Sequence, residues 1–484
     1  MNRNNIWIHV SIAVVLITIA AVIGQIDRWR AALKDVAPVN VTVEKKRMCH
    51  PAATTSRPEV LVRFKPGTSL DKIRDIAAGN HDKLVDEIES VSGLSVIDDL
   101  DDADAEAVAS QYAALSDVEY AEPNFDIRVP IEPPASVSEH PNYQDLLYRS
   151  NDRVLELPEP LLPSDPRFSE QWALNNLGQD GGKARADIDA LKAWLTTKGS
   201  EKVVVAVLDT GVDFTHVDLV HNMWVRPESV PAYRDDELGA FNDINGFDDT
   251  QAIPDPMDDN GHGTHCAGII GAEGDNGEGI AGVNWKVKIM PLKFLGRGGF
   301  GSVDDAIEAI NYAIDRKEHG VNIRVISASW GSTTKSRALE DVIRAAGDAG
   351  ILFVAAAGND GSNNDRRAHY PSNYDLPNVV SVAALDRSDN LAGFSNFGVK
   401  TVHIAAPGKD ILSTWLNDDY REASGTSMAT PYVSGVAALI VANQPNISMG
   451  DLKARLLKSV DKLDSLKGKI VTGGRINASK ALGN

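Results

Sequence analysis

Cysteine is nearly absent: the chain of 484 residues has two, Cys49 and Cys266. They fall in different predicted domains, which excludes a disulfide framework. Export stays open, because a large core needs no disulfides. Basic residues are also scarce, 48 Lys and Arg against 68 Asp and Glu, for a net charge of −20. Binding phosphates requires the opposite balance, so nucleic acid is excluded as a partner. Internal repeats and low-complexity tracts are missing too. What is present is an ordinary globular composition, 43% hydrophobic. That is material for a large core and two or three folding units.

An apolar run of membrane length opens the chain, from Ile6 to Gly24, with Arg3 before it and Arg28, Arg30 and Lys34 after it. It can span a bilayer and exceeds the usual core of a signal peptide. Residues 1–34 therefore read as a signal peptide or a signal-anchor helix, and the flanking charges do not choose between them. Both readings export the rest of the chain, to an extracellular or periplasmic location, released or tethered through residues 6–24.

Residues 35–57 are a polar linker. From 58 to 129 the pattern is β-α-β-β-α-β, a small ferredoxin-like α+β domain. Its strands are Glu59–Phe64, Leu84–Ile88, Leu94–Ile97 and one within Val118–Val129. Its helices are Leu70–Ala78 and Ala103–Leu115. Asp98, Asp99, Asp101, Asp102 and Asp104 precede the second helix and are expected to cap it. Residues 130–163 are rich in Pro, Glu and Ser and read as a linker or processing segment.

Beyond residue 164 the chain is expected to be an α/β fold with a doubly wound, mostly parallel sheet. Val203–Leu208, Val287–Lys293, Ile323–Ala328, Ile351–Ala357 and Val379–Ala384 are nearly continuous apolar runs, the mark of parallel strands buried on both faces. Val303–Arg316, Ser336–Ala349 and Ser427–Ala442 have helical spacing. Sites in such folds lie at the carboxyl ends of the strands.

Three short segments fall at that edge. Asp209 ends an apolar strand in Asp209-Thr-Gly. His262 opens a glycine-rich helix in His262-Gly-Thr-His265-Cys-Ala-Gly. Ser427 opens an apolar helix in Gly425-Thr-Ser427-Met-Ala-Thr-Pro431. Alone, each has a plain explanation as a cap, a turn or a packing residue. His262 and His265 lack a third ligand at zincin spacing. Together they supply a complete chemistry. A serine hydroxyl is a weak nucleophile until a base takes its proton, histidine titrates near neutrality, and a carboxylate fixes the imidazole tautomer. A G-x-S-x-G elbow is excluded because Ala429 occupies its last position and because the serine comes last in the chain.

At these segments the chain resembles the subtilase family, the subtilisin-like serine peptidases, whose members place Asp, His and Ser in this order. The resemblance covers about Asp165 to Leu482, implies the subtilisin-like three-layer sandwich, and makes residues 58–129 similar to the family's inhibitory propeptide. It implies a serine endopeptidase acting through an acyl-enzyme, with polypeptide as substrate and its own propeptide as an intramolecular inhibitor. A catalytically inactive binding or regulatory module on the same scaffold is the alternative, and it would be favoured by the loss of a triad member. By the resemblance, Asn359 in Gly358-Asn-Asp-Gly361 donates to the oxyanion. Ser329, Trp330 and Gly331 pair with the substrate backbone, and Gly298 and Gly299 lie on the opposite wall. A structural calcium site is implied at Asp165, Asp218, Gly274, Asn276, Glu278 and Ile280, in keeping with calcium's preference for oxygen ligands. A second acidic cluster, Asp243, Asp248, Asp249, Asp255, Asp258 and Asp259, is less specific. Tyr432 departs from the family, where histidine is common at this point.

Overall fold

A computed structural model describes residues 59–129, 162–235, 239–240, 243–250 and 255–483. The expected helix at 6–24, the linker at 35–57 and nearly all of the linker at 130–163 lie outside the described residues. Among the described residues no helix is long and apolar enough to cross a membrane.

The small domain consists of β1 (Glu59–Phe64), α1 (Leu70–Gly79), β2 (Asp82–Glu87), β3 (Leu94–Asp99), α2 (Ala105–Ala113) and β4 (Val118–Pro123). The sheet runs β2-β3-β1-β4 with every pair antiparallel, the expected ferredoxin-like order. Alternation along β1 directs Val60, Val62 and Phe64 onto the helices, against Ile73, Val108 and Tyr112. Leu61 points the other way, with Val96 and Tyr120, into a core shared with the large domain. Asp104 caps α2 as expected, accepting from the amides of Glu106 at 3.1 Å and Ala107 at 3.2 Å. A short strand, β5 (Asp126–Arg128), follows and pairs only with the large domain.

The large domain is built on nine strands. In chain order they are β6 (Gly199–Asp209), β7 (Phe247–Asp248), β8 (Lys286–Lys293), β10 (Ile323–Ala328), β11 (Leu352–Ala356), β12 (Val379–Leu385), β13 (Ile404–Pro407), β16 (Val460–Lys462) and β17 (Gly474–Ile476). Outside this sheet lie β9 (Phe300–Ser302) and a hairpin of β14 (Ile411–Trp415) and β15 (Asp419–Ala423). The sheet order is β16-β17-β13-β12-β11-β10-β6-β8-β7. All neighbours are parallel except β16 and β17.

Each central strand feeds two cores. Val203, Val205 and Val207 face α3 (His262–Gly271) and α6 (Thr426–Asn443). Val204, Ala206 and Leu208 face α4 (Val303–Glu318) and α5 (Arg337–Asp348). Helices on both sides are what a parallel sheet requires, and burying each such aliphatic side chain contributes about 1.5–3 kcal/mol. The strands expected from apolar runs appear within two residues of their expected ends, apart from β6, which begins four residues earlier.

Candidate active site

The Asp-Thr-Gly and His-Gly-Thr-His segments meet because their glycines permit it. A Cβ on Gly263 would stand 2.0 Å from the Gly211 carbonyl oxygen, so the loop after β6 crosses the first turn of α3 only where no side chain intervenes. Across that contact His262 Nδ1 lies 2.7 Å from Asp209 Oδ1, with both residues buried. Asp209 Oδ1 also accepts from the Thr210 amide at 2.8 Å, and Thr210 Oγ1 accepts from the Gly263 amide at 2.9 Å. Asp258 fixes the approach to His262: its carboxylate accepts from the amides of Asn260, Gly261 and Thr264 at 2.9–3.0 Å. An ionised carboxylate can only accept, so Nδ1 carries the proton and Nε2 the lone pair.

Ser427 occupies the first turn of α6, and Pro431 shapes its surroundings. Lacking an N–H, Pro431 leaves the Ser427 carbonyl without its intrahelical donor. Ser329 Oγ at 2.8 Å and Cys266 Sγ at 3.6 Å take that place. Cys266 stands one helical turn beyond His262, so this bond carries the start of α6 to the histidine helix. Cys266 is buried in the core between the two helices. The Ser427 hydroxyl itself donates to the Ser329 carbonyl at 3.0 Å.

Asn359 follows β11. Its Oδ1 accepts from the Thr426 amide at 2.9 Å and from Thr426 Oγ1 at 2.8 Å, which fixes the amide orientation. Its Nδ2 is buried with no hydrogen-bond partner among the described residues. A Cβ on Gly425 would lie 3.1 Å from that nitrogen and 3.5 Å from the Ser427 amide nitrogen. Two nitrogens thus flank one small open space.

The cleft beside this space holds β5 as a middle strand. Asp126–Arg128 pairs antiparallel with Phe300–Ser302, the Val129 amide donates to the Gly299 carbonyl at 2.9 Å, and Arg128 bridges to Gly331 on the other wall. The cleft, about 460 Å3, is lined by Arg128, Phe300, Gly331, Ser332, Asn359 and His369 among others. Of the expected wall residues, Gly331 bridges to Arg128 of β5, Gly299 meets Val129 just after it, and Gly298 precedes Gly299 in its loop. The Ser329 side chain faces Ser427 instead. The Trp330 ring is no part of the cleft: it is buried, edge-on to Phe294, with Nε1 donating to the Leu208 carbonyl at 2.9 Å. Tyr432, the family departure, is fully buried.

Sequence reasoning overlooked His369 and Lys293. His369 follows no motif, and burial pushes its imidazole down to about 4. Lys293 did leave a signal, a charged residue closing an apolar strand.

The expected calcium residues gather at one place. The Asp275 amide donates to Asp165 Oδ2 at 2.6 Å. Asp218 accepts from Asn276 Nδ2 at 3.0 Å, the Ile280 amide at 2.9 Å and the Tyr420 hydroxyl at 2.9 Å. Asp165 Oδ1 is buried with no partner among the described residues. Burial pushes its carboxyl up to about 6, and the charges of Asp218 and Asp275 add to this. A buried, unsatisfied carboxylate oxygen beside two further carboxylates fits a hard cation. Three members of the second acidic cluster have partners of their own. Asp243 accepts from the Tyr233 amide at 3.0 Å and the Tyr312 hydroxyl at 2.8 Å and faces Arg226 and Arg316. Asp258 caps α3, and Asp259 meets Lys293.

Comparison with known families matches residues 200–475 to the subtilase family and residues 56–124 to the fervidolysin N-terminal prodomain. A thermophilic serine proteinase of Bacillus sp. (strain AK1) is 36% identical over 69% of this chain and 74% of its own length. Thermitase of Thermoactinomyces vulgaris is 34% identical over 66% of this chain and 99% of its own. Among solved structures, fervidolysin from Fervidobacterium pennivorans, a keratinolytic enzyme related to subtilisin, superimposes with a TM-score of 0.68 at 26% identity. That match covers 89% of this chain and 61% of fervidolysin.

Proposed function

The chain belongs to the subtilase family and is a serine peptidase with an N-terminal prodomain, and we propose that it is an endopeptidase with Ser427 as nucleophile, His262 as base, Asp209 as orienting carboxylate and Asn359 as oxyanion donor. The observation that carries this reading is the buried, partnerless Nδ2 of Asn359 beside the Ser427 amide. A buried donor without an acceptor is costly to keep. A tetrahedral oxyanion would use it.

In the proposed reaction Ser427 Oγ forms a bond to the substrate carbonyl carbon and passes its proton to His262 Nε2. The carbonyl electron pair moves to oxygen, where Asn359 Nδ2 and the Ser427 amide donate to it. Asp209 holds the imidazolium by the 2.7 Å bond to Nδ1. Collapse breaks the C–N bond, His262 returns the proton to the leaving amine, and water repeats the sequence on the acyl-enzyme. Substrate enters as an extended strand between Gly299 and Gly331, the position β5 occupies, which supports main-chain recognition and an inhibitory role for the prodomain. Fluorophosphonate labelling tests the nucleophile: undiminished labelling of Ser427→Ala would end this assignment.

The domain limits we propose are residues 1–34 for export, 58–129 for the prodomain and 164–484 for the peptidase. Sequencing the mature N-terminus decides the maturation cut and whether residues 6–24 stay as a tether. Calcium is proposed as a structural ion held by Asp165, Asp218 and Asn276 with main-chain oxygens of Gly274, Glu278 and Ile280. When bound, it would neutralise the acidic loop. Chelation should lower the melting temperature by a few degrees, and an unmoved transition removes the claim.

A further inference from the structure

We infer that Lys293 is a positioning residue that holds the acid, the base and the substrate wall in one fixed relation. The inference rests on reading His262 as the general base and Asp209 as the carboxylate that orients it. Lys293 ends β8 and stands directly across from Asp209 in the ladder. Its side chain is only 2% exposed, in a strand whose other central residues are apolar. An ammonium there must be fully engaged or it destabilises the core.

All three of its donors are in use. Nζ donates to the Thr210 carbonyl at 2.6 Å, to Asp259 Oδ1 at 2.8 Å and to the Leu295 carbonyl at 3.0 Å. These acceptors belong to three different loops. Thr210 follows Asp209, and its hydroxyl receives the first turn of the histidine helix. Asp259 lies in the turn that delivers His262, between the capping Asp258 and Asn260, whose Oδ1 accepts from the His262 amide at 3.2 Å. Leu295 opens the wall that ends at Gly299, the partner of Val129. Asn260 Nδ2 closes the triangle by donating to the Arg297 carbonyl at 2.9 Å. One cation therefore joins the loops that carry acid, base and substrate, without touching substrate itself.

Geometry of this kind governs turnover. A displacement of about 1 Å in a reacting group can lower rate roughly 100-fold. The cation also sets charge. Around Lys293 and the dyad stand the carboxyls of Asp209, Asp248, Asp258 and Asp259, with the imidazole of His265 and the thiol of Cys266 on α3. Removing one positive charge from this group favours the protonated form of His262, so the acid limb of the kcat/KM profile moves to higher pH.

The test uses the mature enzyme and compares Lys293→Met, Lys293→Arg and Asp259→Asn, each normalised by active-site titration. Lys293→Met should lower kcat roughly 10- to 100-fold, raise KM by a smaller factor through the loosened wall, and shift the acid limb upward. Lys293→Arg keeps the charge but cannot point three donors at these acceptors, so kcat should fall while the acid limb stays. If Lys293→Met does not fold, Lys293→Arg and Asp259→Asn still report. Unchanged kcat per titrated site in these variants, with only stability lowered, would overturn the inference. Failure of the nucleophile assignment is distinguishable, because it appears as absent fluorophosphonate labelling in the parent enzyme.

Discussion

The two sheets of this protein stand in opposite relations to their surroundings. The nine-stranded sheet is covered on both faces by helices of its own domain. The four-stranded sheet covers one face with α1 and α2 and completes the other only against α4 and α5 of the peptidase. The first sheet is a self-sufficient scaffold, and the second finishes its burial by docking. The polar contacts follow the same division. Glu122 accepts from Ser336 Oγ and from the amides of Arg337 and Ala338 at 2.9 and 3.1 Å, so a prodomain carboxylate caps a peptidase helix. Anions are stabilised there by the helix N-terminus. Asn124 Nδ2 meets Asp304 at the start of α4 at 2.6 Å, and Tyr120 donates to Asp341 at 2.8 Å. Prodomain and peptidase are thus fitted through helix ends on one side and through β5 on the other.

The comparison breaks most sharply at Ser427. Ser427→Ala should lower turnover about a millionfold while leaving every prodomain contact in place, so the purified precursor should remain whole. Conversion of that precursor to mature size at the parent rate would rule out self-processing. Asn359→Ala comes next: kcat should fall roughly 100- to 1000-fold with little change in KM. A kcat within threefold of the parent would remove Asn359 from the site.

A smaller effect sharpens the docking side. Glu122→Ala removes the cap that α5 borrows, and separately produced residues 58–129 carrying it should inhibit the mature enzyme roughly 10- to 100-fold less well. An unchanged inhibition constant would make β5 alone responsible for affinity.

Much of this architecture was legible in the chain, for definite reasons. Strands buried on both faces must be apolar throughout, so Val203–Leu208 and its parallel partners stood out. Asp209, His262 and Ser427 stood out because the glycines that let their loops cross travel with them. What was not legible depends on partners distant in sequence. Asp126-Ile-Arg128 carries no strand pattern of its own and is a strand only because Phe300–Ser302 pairs with it. Ile404–Pro407 is too short and too rich in alanine to signal a strand, and β17 is fixed by its neighbours. The resemblance gives Trp330 a main-chain role beside the substrate and leaves the place of its ring open. Its ring is turned into the core, a choice made by Phe294 and Leu208 rather than by local sequence.

Acid provides the finest test of the two regions. Burial pushes His265, His369 and His403 each down to about 4 from an ordinary value of 6.5, and all three lie in the peptidase, whereas prodomain His81 is exposed. A histidine held neutral in the fold binds its proton more readily once unfolded. Stability from these groups is therefore fully present above about pH 6.5 and is lost as pH falls toward 4. Each proton taken up on unfolding contributes about 1.4 kcal/mol per pH unit within that window. His403 Nδ1 accepts from the Ser381 amide at 2.9 Å, and glutamine can accept there without titrating. His403→Gln should therefore fold and lower the slope of stability against pH by one proton between pH 6.5 and 4, measured by denaturant titration of the mature enzyme. A slope equal to the parent's would mean that His403 titrates alike in both states, and the acid sensitivity would then belong to groups elsewhere in the chain.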